Sequence, residues 1–402
     1  MAGAIRLGRL WGIRISADWS LIFLFWLLTV NLALGLFPAW HPQWSATLCW
    51  VVALGAGVLF LASVLAHELA HALVARRHGI PVGNITLFLF GGVANIERDP
   101  RSPGVEAVMA VVGPLTSLSL GVAFLWAATL LGGVTDEPWE DPRELAERMG
   151  PLATLLAWLG PLNISLAIFN MVPGFPLDGG RVLRAVLWHF SGSLSEATRW
   201  AARAGQVVAL TLVFLGLAMM LGARVPLLGT GVTGGLWLVL VGWFLHAAAA
   251  ASYEQVVVQE ALADVPVRRL MRTQVATVGP ELAVVNLVDD FMLKRDHHAF
   301  PVVDSTGFLL GLVSLRDVRA LDRTHWMFRR VRDIMTPVED LVVVAPDQGA
   351  DEALQLLARR GVSQLPVVEH GRLVGMLWLQ DVVRWLELEA PISPSATVAH
   401  GH

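Results

Sequence analysis

The sequence predicts a multi-pass α-helical membrane domain of about six spans, with a membrane-dipping β-loop, followed by a soluble pair of small α/β units. Three observations predict it. The 402 residues are 55% hydrophobic and only 15% charged, well under the roughly 25% charged of soluble domains. Apolar runs long enough to cross a bilayer recur up to about residue 251. Beyond residue 260 the runs shorten, charge rises, and a segment of about 64 residues repeats.

The spans are read at about Ile15–Pro38, Trp50–Ala75, Val105–Leu131, Leu152–Val172, Trp200–Leu221 and Leu227–Ala251. The first follows Arg6, Arg9 and Arg14 and is too long, without a small-residue cleavage site, for a removed signal peptide; it reads as a retained anchor. Arg76, Arg77, Arg98, Arg101, Arg181, Arg184, Arg199 and Arg203 then fall on the side of the amino terminus. Arg143, Arg148 and Arg224 fall opposite, with the acidic connector TDEPWEDPRELAER. The positive-inside rule puts the amino terminus and everything after about Ser252 in the cytoplasm.

Val82–Glu97, VGNITLFLFGGVANIE, breaks this helical pattern. Its β-branched and aromatic residues, bounded by Gly83 and Gly91–Gly92, form strands too short to span. Irregular backbone at membrane depth needs a protein or water-filled cavity to satisfy it, so this loop is expected to line one; a plain surface hairpin is the alternative.

The net charge of -4 and the absence of a basic block argue against a nucleic-acid partner. Cys49 is the single cysteine, so a disulfide framework and a thiolate metal cage are both excluded. The carboxyl-terminal units are read from VRRLM (267–271) recurring as VRDIM (331–335), FPVVD (300–304) as LPVVE (365–369), and GLVSLRDV (311–318) as GMLWLQDV (375–382). The expected organisation is a membrane domain over 1–252, a linker over 253–263, repeats over 264–322 and 328–388, and a disordered tail over 389–402. Lacking apolar periodicity, that tail discounts His400 and His402 as ligands.

The second span ends in VLAHELAHALVARRHG. Each ionisable group near a bilayer centre costs about 2.5–3.5 kcal/mol, so His67, Glu68 and His71 need a compensating partner. One helical turn separates the two histidines, which can then bind one Zn²⁺ while Glu68 stands beside it as a general base for water. A chance match on a solvated helix is the plain reading of His-Glu-x-x-His, and a membrane span offers no solvated face. The third ligand candidate lies in FNMVPGFPLDGGRVLR, where Pro173 and Pro176 interrupt the helix and Gly179–Gly180 allow a close turn after Asp178. Broken membrane helices present binding groups. Capping the helix that begins at Gly179 is the other role open to Asp178.

These residues resemble the site-2 proteases, intramembrane zinc metalloproteases. The resemblance rests on His67, Glu68 and His71, and on Asn170, Pro173, Pro176, Leu177, Asp178 and Gly179 in an Asn-x-x-Pro-x-x-Pro-Leu-Asp-Gly pattern. LFGGVANI and GPLTS (113–117) are also similar to family features. Where the family often has Gly-Pro-x-x-Asn, this chain has Ser117, and a second GPLN supplies Asn163. The resemblance implies one Zn²⁺ on His67, His71 and Asp178, Glu68 as catalytic base, and a membrane-anchored regulatory protein as substrate. The substrate helix must unwind; the β-loop, with Leu87, Phe88, Leu89, Gly91 and Gly92, together with Asn163 and Asn170, is expected to hold it, by strand addition along an exposed edge within Val82–Asn95.

The repeats resemble a tandem pair of CBS (cystathionine β-synthase) domains, which implies an adenine nucleotide (ATP, ADP or AMP) as regulatory ligand and a possible homodimer. The Gly-x-x-Ser/Thr-x-x-Asp signature is present as Gly311, Ser314 and Asp317, whereas the second repeat has Gly375 and Asp381 with Trp378 in place of the hydroxyl. The plain reading makes Asp317 a helix cap. The whole is expected in a prokaryotic plasma membrane. A CBS-bearing channel or transporter and a non-catalytic scaffold are the competing classes; neither gives a reason for His67, Glu68, His71 and Asp178 together.

Overall fold

The computed structural model describes residues 5–89, 91–96, 100, 102–132, 147–225, 229–294 and 299–389. The chain divides into two compact units, Met1–Glu254 and Gln255–His402. The acidic connector lies outside the described residues except for 147 and 148, and the expected tail does so except for 389.

Six helices of the first unit and its exit are long and apolar enough to cross a membrane: α1 (Trp19–Trp40), α2 (Ala46–Arg77), α3 (Pro103–Gly132), α4 (Pro151–Asn170), α6 (Leu194–Met220) and the span Val232–Val258 of α7. Helix α7 itself runs over Val232–Ala263. A shorter amphipathic helix, α5 (Asp178–Ser191), lies between α4 and α6. Exposed apolar side chains such as Phe214 and Trp126 ring these helices; lipid replaces water as their solvent, so burial inside the protein is not required of them.

The first span is shorter at its start than its apolar run suggests. Ile13–Ala17 is a strand, and Asp18 begins the helix by accepting from the Ser20 N–H at 2.9 Å. Alternation decided this: Ile13, Ile15 and Ala17 are buried while Arg14 is exposed, a period of two rather than 3.6. The sixth span starts at Val232, later than Leu227, because Gly229 and Gly231 hold positive φ of 84° and 116° that a helix cannot continue.

The β-loop is one half of a four-stranded sheet ordered β1 (Ile5–Leu10), β2 (Ile13–Ala17), β3 (Val82–Phe88), β4 (Gly91–Ile96). β2 and β3 are parallel, and the two outer pairs are antiparallel. Ile13, Ala17, Ile85 and Leu87 pack with Val64, Leu69 and Ala72 of α2, which seats the sheet against the histidine-bearing helix. β3 is therefore bonded on both sides. The exposed edge expected within Val82–Asn95 belongs to β4 alone.

In the second unit, β5 (Ala299–Val303), β6 (Leu309–Ser314) and β7 (Thr336–Pro337) form one sheet, and β8 (Gln364–Glu369) and β9 (Arg372–Trp378) another. The opening segment of each repeat packs into the other repeat's core. Leu262, Val265, Val267 and Leu270 join Val344, Leu357, Leu365 and Val382, while Val331 joins Val278, Phe300, Val302 and Val313. Arg272 and Met376 exchange backbone hydrogen bonds at 2.9 and 3.0 Å. The signature glycines serve this exchange: a Cβ at Gly375 would lie 2.8 Å from the Arg272 carbonyl oxygen and 3.0 Å from Met271 Sδ, and one at Gly311 would lie 2.5 Å from the Thr336 oxygen and 2.9 Å from Met335 Sδ.

Candidate metal centre

Helix α2 begins at a Ser45 cap and closes on Arg76 and Arg77, whose charges suit the negative end of its dipole. His67 and His71 lie one turn apart on it, each only 4% exposed. Asp178 comes from the far side of the centre. The turn through Pro173 and Pro176 places Leu177 in extended backbone as the N-cap, so that Asp178 is the first residue of α5. Its carboxylate caps nothing and points at the histidines instead. Gly179 and Gly180 permit this: a Cβ at either would run into the backbone of Met171–Val172 or Gly174–Phe175.

Three donor atoms converge. His67 Nε2 and Asp178 Oδ2 are 3.1 Å apart, His71 Nε2 and Asp178 Oδ2 3.2 Å, and the two Nε2 atoms 3.2 Å. The opposite ring nitrogens are both engaged. His71 Nδ1 lies 2.6 Å from the Met109 carbonyl oxygen and His67 Nδ1 2.9 Å from Ser117 Oγ. A carbonyl only accepts, so the His71 Nδ1 carries the proton, and in a neutral ring Nε2 presents a bare lone pair. A lone pair, a second imidazole nitrogen and a carboxylate oxygen at such separations repel unless a cation joins them. Edges of 3.1–3.2 Å also suit donors bound about 2.0–2.2 Å from one zinc ion. The donor set thus fits Zn²⁺, and His67, His71 and Asp178 are the one group of this kind among the described residues.

Helix α3 supplies the floor. A Cβ at Gly113 would strike His71 Nε2 and lie 2.7 Å from His67 Nε2. Beside it, Glu68 lines a cavity of about 560 Å³ that also receives His67, His71, Asp178, Asn170 and Arg181. The walls are largely apolar, with Phe60, Phe88, Leu89, Phe169, Trp237 and Phe244. Gly91 and Gly92 complete the sheet side. A Cβ at Gly92 would come within 2.8 Å of Glu68 Cδ, so the sheet approaches the candidate base as closely as a glycine allows.

The sheet's bonding shows which groups are free. The Asp18 N–H donates to the Leu87 carbonyl at 2.8 Å, so Leu87 bonds toward β2 and its neighbours Thr86 and Phe88 bond toward β4. Their partners Val93 and Gly91 face β3. Gly92 and Ala94 consequently direct their backbone groups outward, and Gly92 does so toward Glu68.

Two expected substrate contacts lie elsewhere. Leu87 is 3% exposed and packed in the core beneath the sheet, because it alternates with Phe88, which enters the cavity. Asn163 is buried within α4, donating to the Leu159 carbonyl at 3.0 Å, and does not line the cavity; Ser117, not Asn163, meets the histidine. Asn170 lines the cavity while donating to the Leu166 carbonyl at 3.0 Å. Sequence reasoning missed Met109, and it marked Gly113 within GPLTS without reading its closeness to the histidines. A backbone carbonyl leaves no residue-type signal, but the Gly-Pro pair inside an apolar helix was a visible mark of close approach.

In the second unit, Ser314 and Asp317 bond each other: the Ser314 hydroxyl donates to Asp317 Oδ2 at 2.7 Å, the Ser314 N–H donates to the same oxygen at 2.8 Å, and Ser314 caps the following helix. Asp381 is held by the Arg272 guanidinium at 2.8 and 2.5 Å, and that guanidinium lies 5.1 Å from the centre of the Trp378 ring.

The chain is similar to known proteins over most of its length. The model of peptidase family M50 matches residues 55–215, and the CBS domain model matches 267–323 and 331–388. The chain is 36% identical to the candidate zinc metalloprotease Rip3 of Mycobacterium tuberculosis, over 99% of this chain and 96% of that protein. It is 32% identical to the candidate zinc metalloprotease sll0528 of Synechocystis, over 97% of each. Among solved structures, a site-2 protease from Methanocaldococcus jannaschii matches at 26% identity with a TM-score of 0.41, covering 62% of this chain and 95% of that one.

Proposed function

Because the chain belongs to peptidase family M50, the site-2 protease family of zinc metalloproteases, and carries two CBS domains, we propose that it cleaves peptide bonds within or near transmembrane segments of membrane-anchored proteins. The observation that carries this is the convergence of His67 Nε2, His71 Nε2 and Asp178 Oδ2 inside a multi-pass membrane domain, with Glu68 in the same cavity. His67, His71 and Asp178 would hold Zn²⁺, which when bound would supply a water of lowered pKa, toward about 7, and a Lewis acid for the scissile carbonyl. Glu68 takes the proton of the attacking water and returns it to the leaving amine nitrogen. Met109 and Ser117 hold the two imidazoles in orientation.

The substrate arrives as a helix with its peptide groups internally bonded. Unwound, it exposes donors and acceptors that the Gly92 carbonyl and the outward groups of Ala94 can meet, adding a strand to the β4 edge, whose Gly92 N–H is held by Glu68. The apolar walls suit side chains that come from lipid. The amino terminus and the second unit are assigned to the cytoplasm on the arginine distribution. The CBS pair is assigned an adenine nucleotide near Ser314 and Asp317. The second signature is a poorer site, since Trp378 lacks the hydroxyl and Arg272 already occupies the Asp381 carboxylate. Incubation of the purified protein with transmembrane peptides tests the reading: cleavage is expected, with loss on chelation and recovery on adding Zn²⁺. Intact peptides under zinc-replete conditions would refute it.

A further inference from the structure

The opening hairpin takes no part in this chemistry, and its charges are set against its own stability. Trp11 and Gly12 turn it, with positive φ of 48° and 81°. Directly paired residues of an antiparallel ladder project from one face. Ile5 pairs with Ala17 and Leu10 with Ile13, which makes one face apolar; Arg6 pairs with Ser16 and Arg9 with Arg14, which makes the other basic. Like charges directly opposite each other are destabilising. No acidic side chain among the described residues forms an ion pair with Arg6, Arg9 or Arg14, and all three are exposed. Asp18, the next carboxylate along the chain, is committed to Ser20 at 2.9 and 2.7 Å.

Position indicates what the two arginines face. The hairpin ends one residue before α1, and its turn is tied to the end of α2, where the Arg76 guanidinium donates to the Trp11 carbonyl. It therefore lies where two spans leave the apolar core. Every residue of β1 is exposed, Leu7 at 59%, and so is Trp11 of the turn, at 67%. Exposed tryptophan and aliphatic side chains beside arginine are the composition of a membrane interface.

We propose that Arg6, Arg9 and Arg14 form a binding site for the phosphate of an anionic phospholipid headgroup in the bilayer that the protein crosses. The phosphate sits between Arg9 and Arg14 and converts their repulsion into two charge-assisted contacts. The ligand reaches the site laterally, from the leaflet in which the hairpin stands.

Native mass spectrometry of the full chain released from micelles tests this, with phosphatidylglycerol and phosphatidylcholine offered at equal concentration. Wild type is expected to retain phosphatidylglycerol preferentially, and the preference should fall about fivefold for each arginine removed in Arg9→Gln and Arg9→Gln/Arg14→Gln. Arg9→Lys/Arg14→Lys should keep most of it. Thermal unfolding gives a second readout with an inverted sign. In phosphatidylcholine alone Arg9→Gln should melt at or above the wild-type temperature, because a repulsion is gone. Adding phosphatidylglycerol should raise the wild-type midpoint, raise that of Arg9→Gln less, and raise that of Arg9→Gln/Arg14→Gln least. Equal retention of the two lipids, undiminished preference in the double variant, or displacement of the lipid by inorganic phosphate at matched concentration would each overturn the assignment.

Discussion

Gly113→Ala isolates the metal centre from the rest of the fold. The added Cβ would stand 2.5 Å from His71 Cε1 and 2.7 Å from His67 Nε2, where ordinary Cβ contacts begin at about 3.4 Å. Both rings must retreat, His67 by about 0.7 Å and His71 by more than the 0.9 Å that its Cε1 alone requires, since its Nε2 is closer still. Metal–ligand distances tolerate only about 0.2 Å, so two of the three donors leave their positions. Groups that merely support a ligand cost about 10–100-fold in metal affinity when lost; displacing two ligands themselves should cost at least the upper figure. The helix does not suffer to the same degree. Alanine is favoured over glycine in a helix interior by about 0.5–1 kcal/mol, which offsets part of an overpacking cost of about 1–3 kcal/mol. The assay is retained zinc after dialysis against graded chelator, measured beside the thermal midpoint of the zinc-free protein. Gly104→Ala on the same helix is the control, since nothing lies within 4 Å of a Cβ there. One tightly held zinc in Gly113→Ala, as chelator-resistant as wild type, would refute the convergence of donors at this point.

Glu68→Gln should keep one zinc and lose cleavage by about 10²–10⁴-fold; wild-type turnover would remove Glu68 as the base. His71→Ala should lose zinc outright, measured as metal content of the purified protein. Ala94→Pro removes an outward backbone donor from the β4 edge while sparing the bonds to β3, so KM for an unwound substrate should rise with zinc content unchanged. Val93→Pro, which breaks the ladder, should instead lower the thermal midpoint; identical behaviour of the two variants would contradict the edge assignment. Calorimetry of the full chain with AMP, ADP and ATP should show binding that Asp317→Asn weakens and Asp381→Asn leaves nearly intact, and the reverse order would exchange the roles of the two repeats.

Much of this protein was legible because lipid leaves few options. A segment apolar enough to span cannot carry His67, Glu68 and His71 as solvated surface residues, so their presence alone called for a partner, and two prolines marked the break that delivers Asp178. Runs of hydrophobicity located all six spans. They misplaced the start of the first, since Ile15–Ala17 prolongs the apolar run of the helix, whereas the alternation of Ile13, Ile15 and Ala17 with Arg14 is that of a strand, which pairs with β3. Pairing likewise decided which strand has a free edge, turning Leu87 into the core and Gly92 toward Glu68.

The repeat in the second half announced two similar units through local similarity. That each unit's first segment completes the other's core, and that Arg272 therefore reaches Asp381, 109 residues away, is a contact of high sequence separation with no local trace. The chemistry of single residues and the periodicity of short windows were determined by the sequence itself. Met109 holding His71, Ser117 holding His67 and Gly113 making room for both were decided by α3 crossing α2 at one place, because a packing interface is set by the shapes of two surfaces together and neither segment specifies it alone.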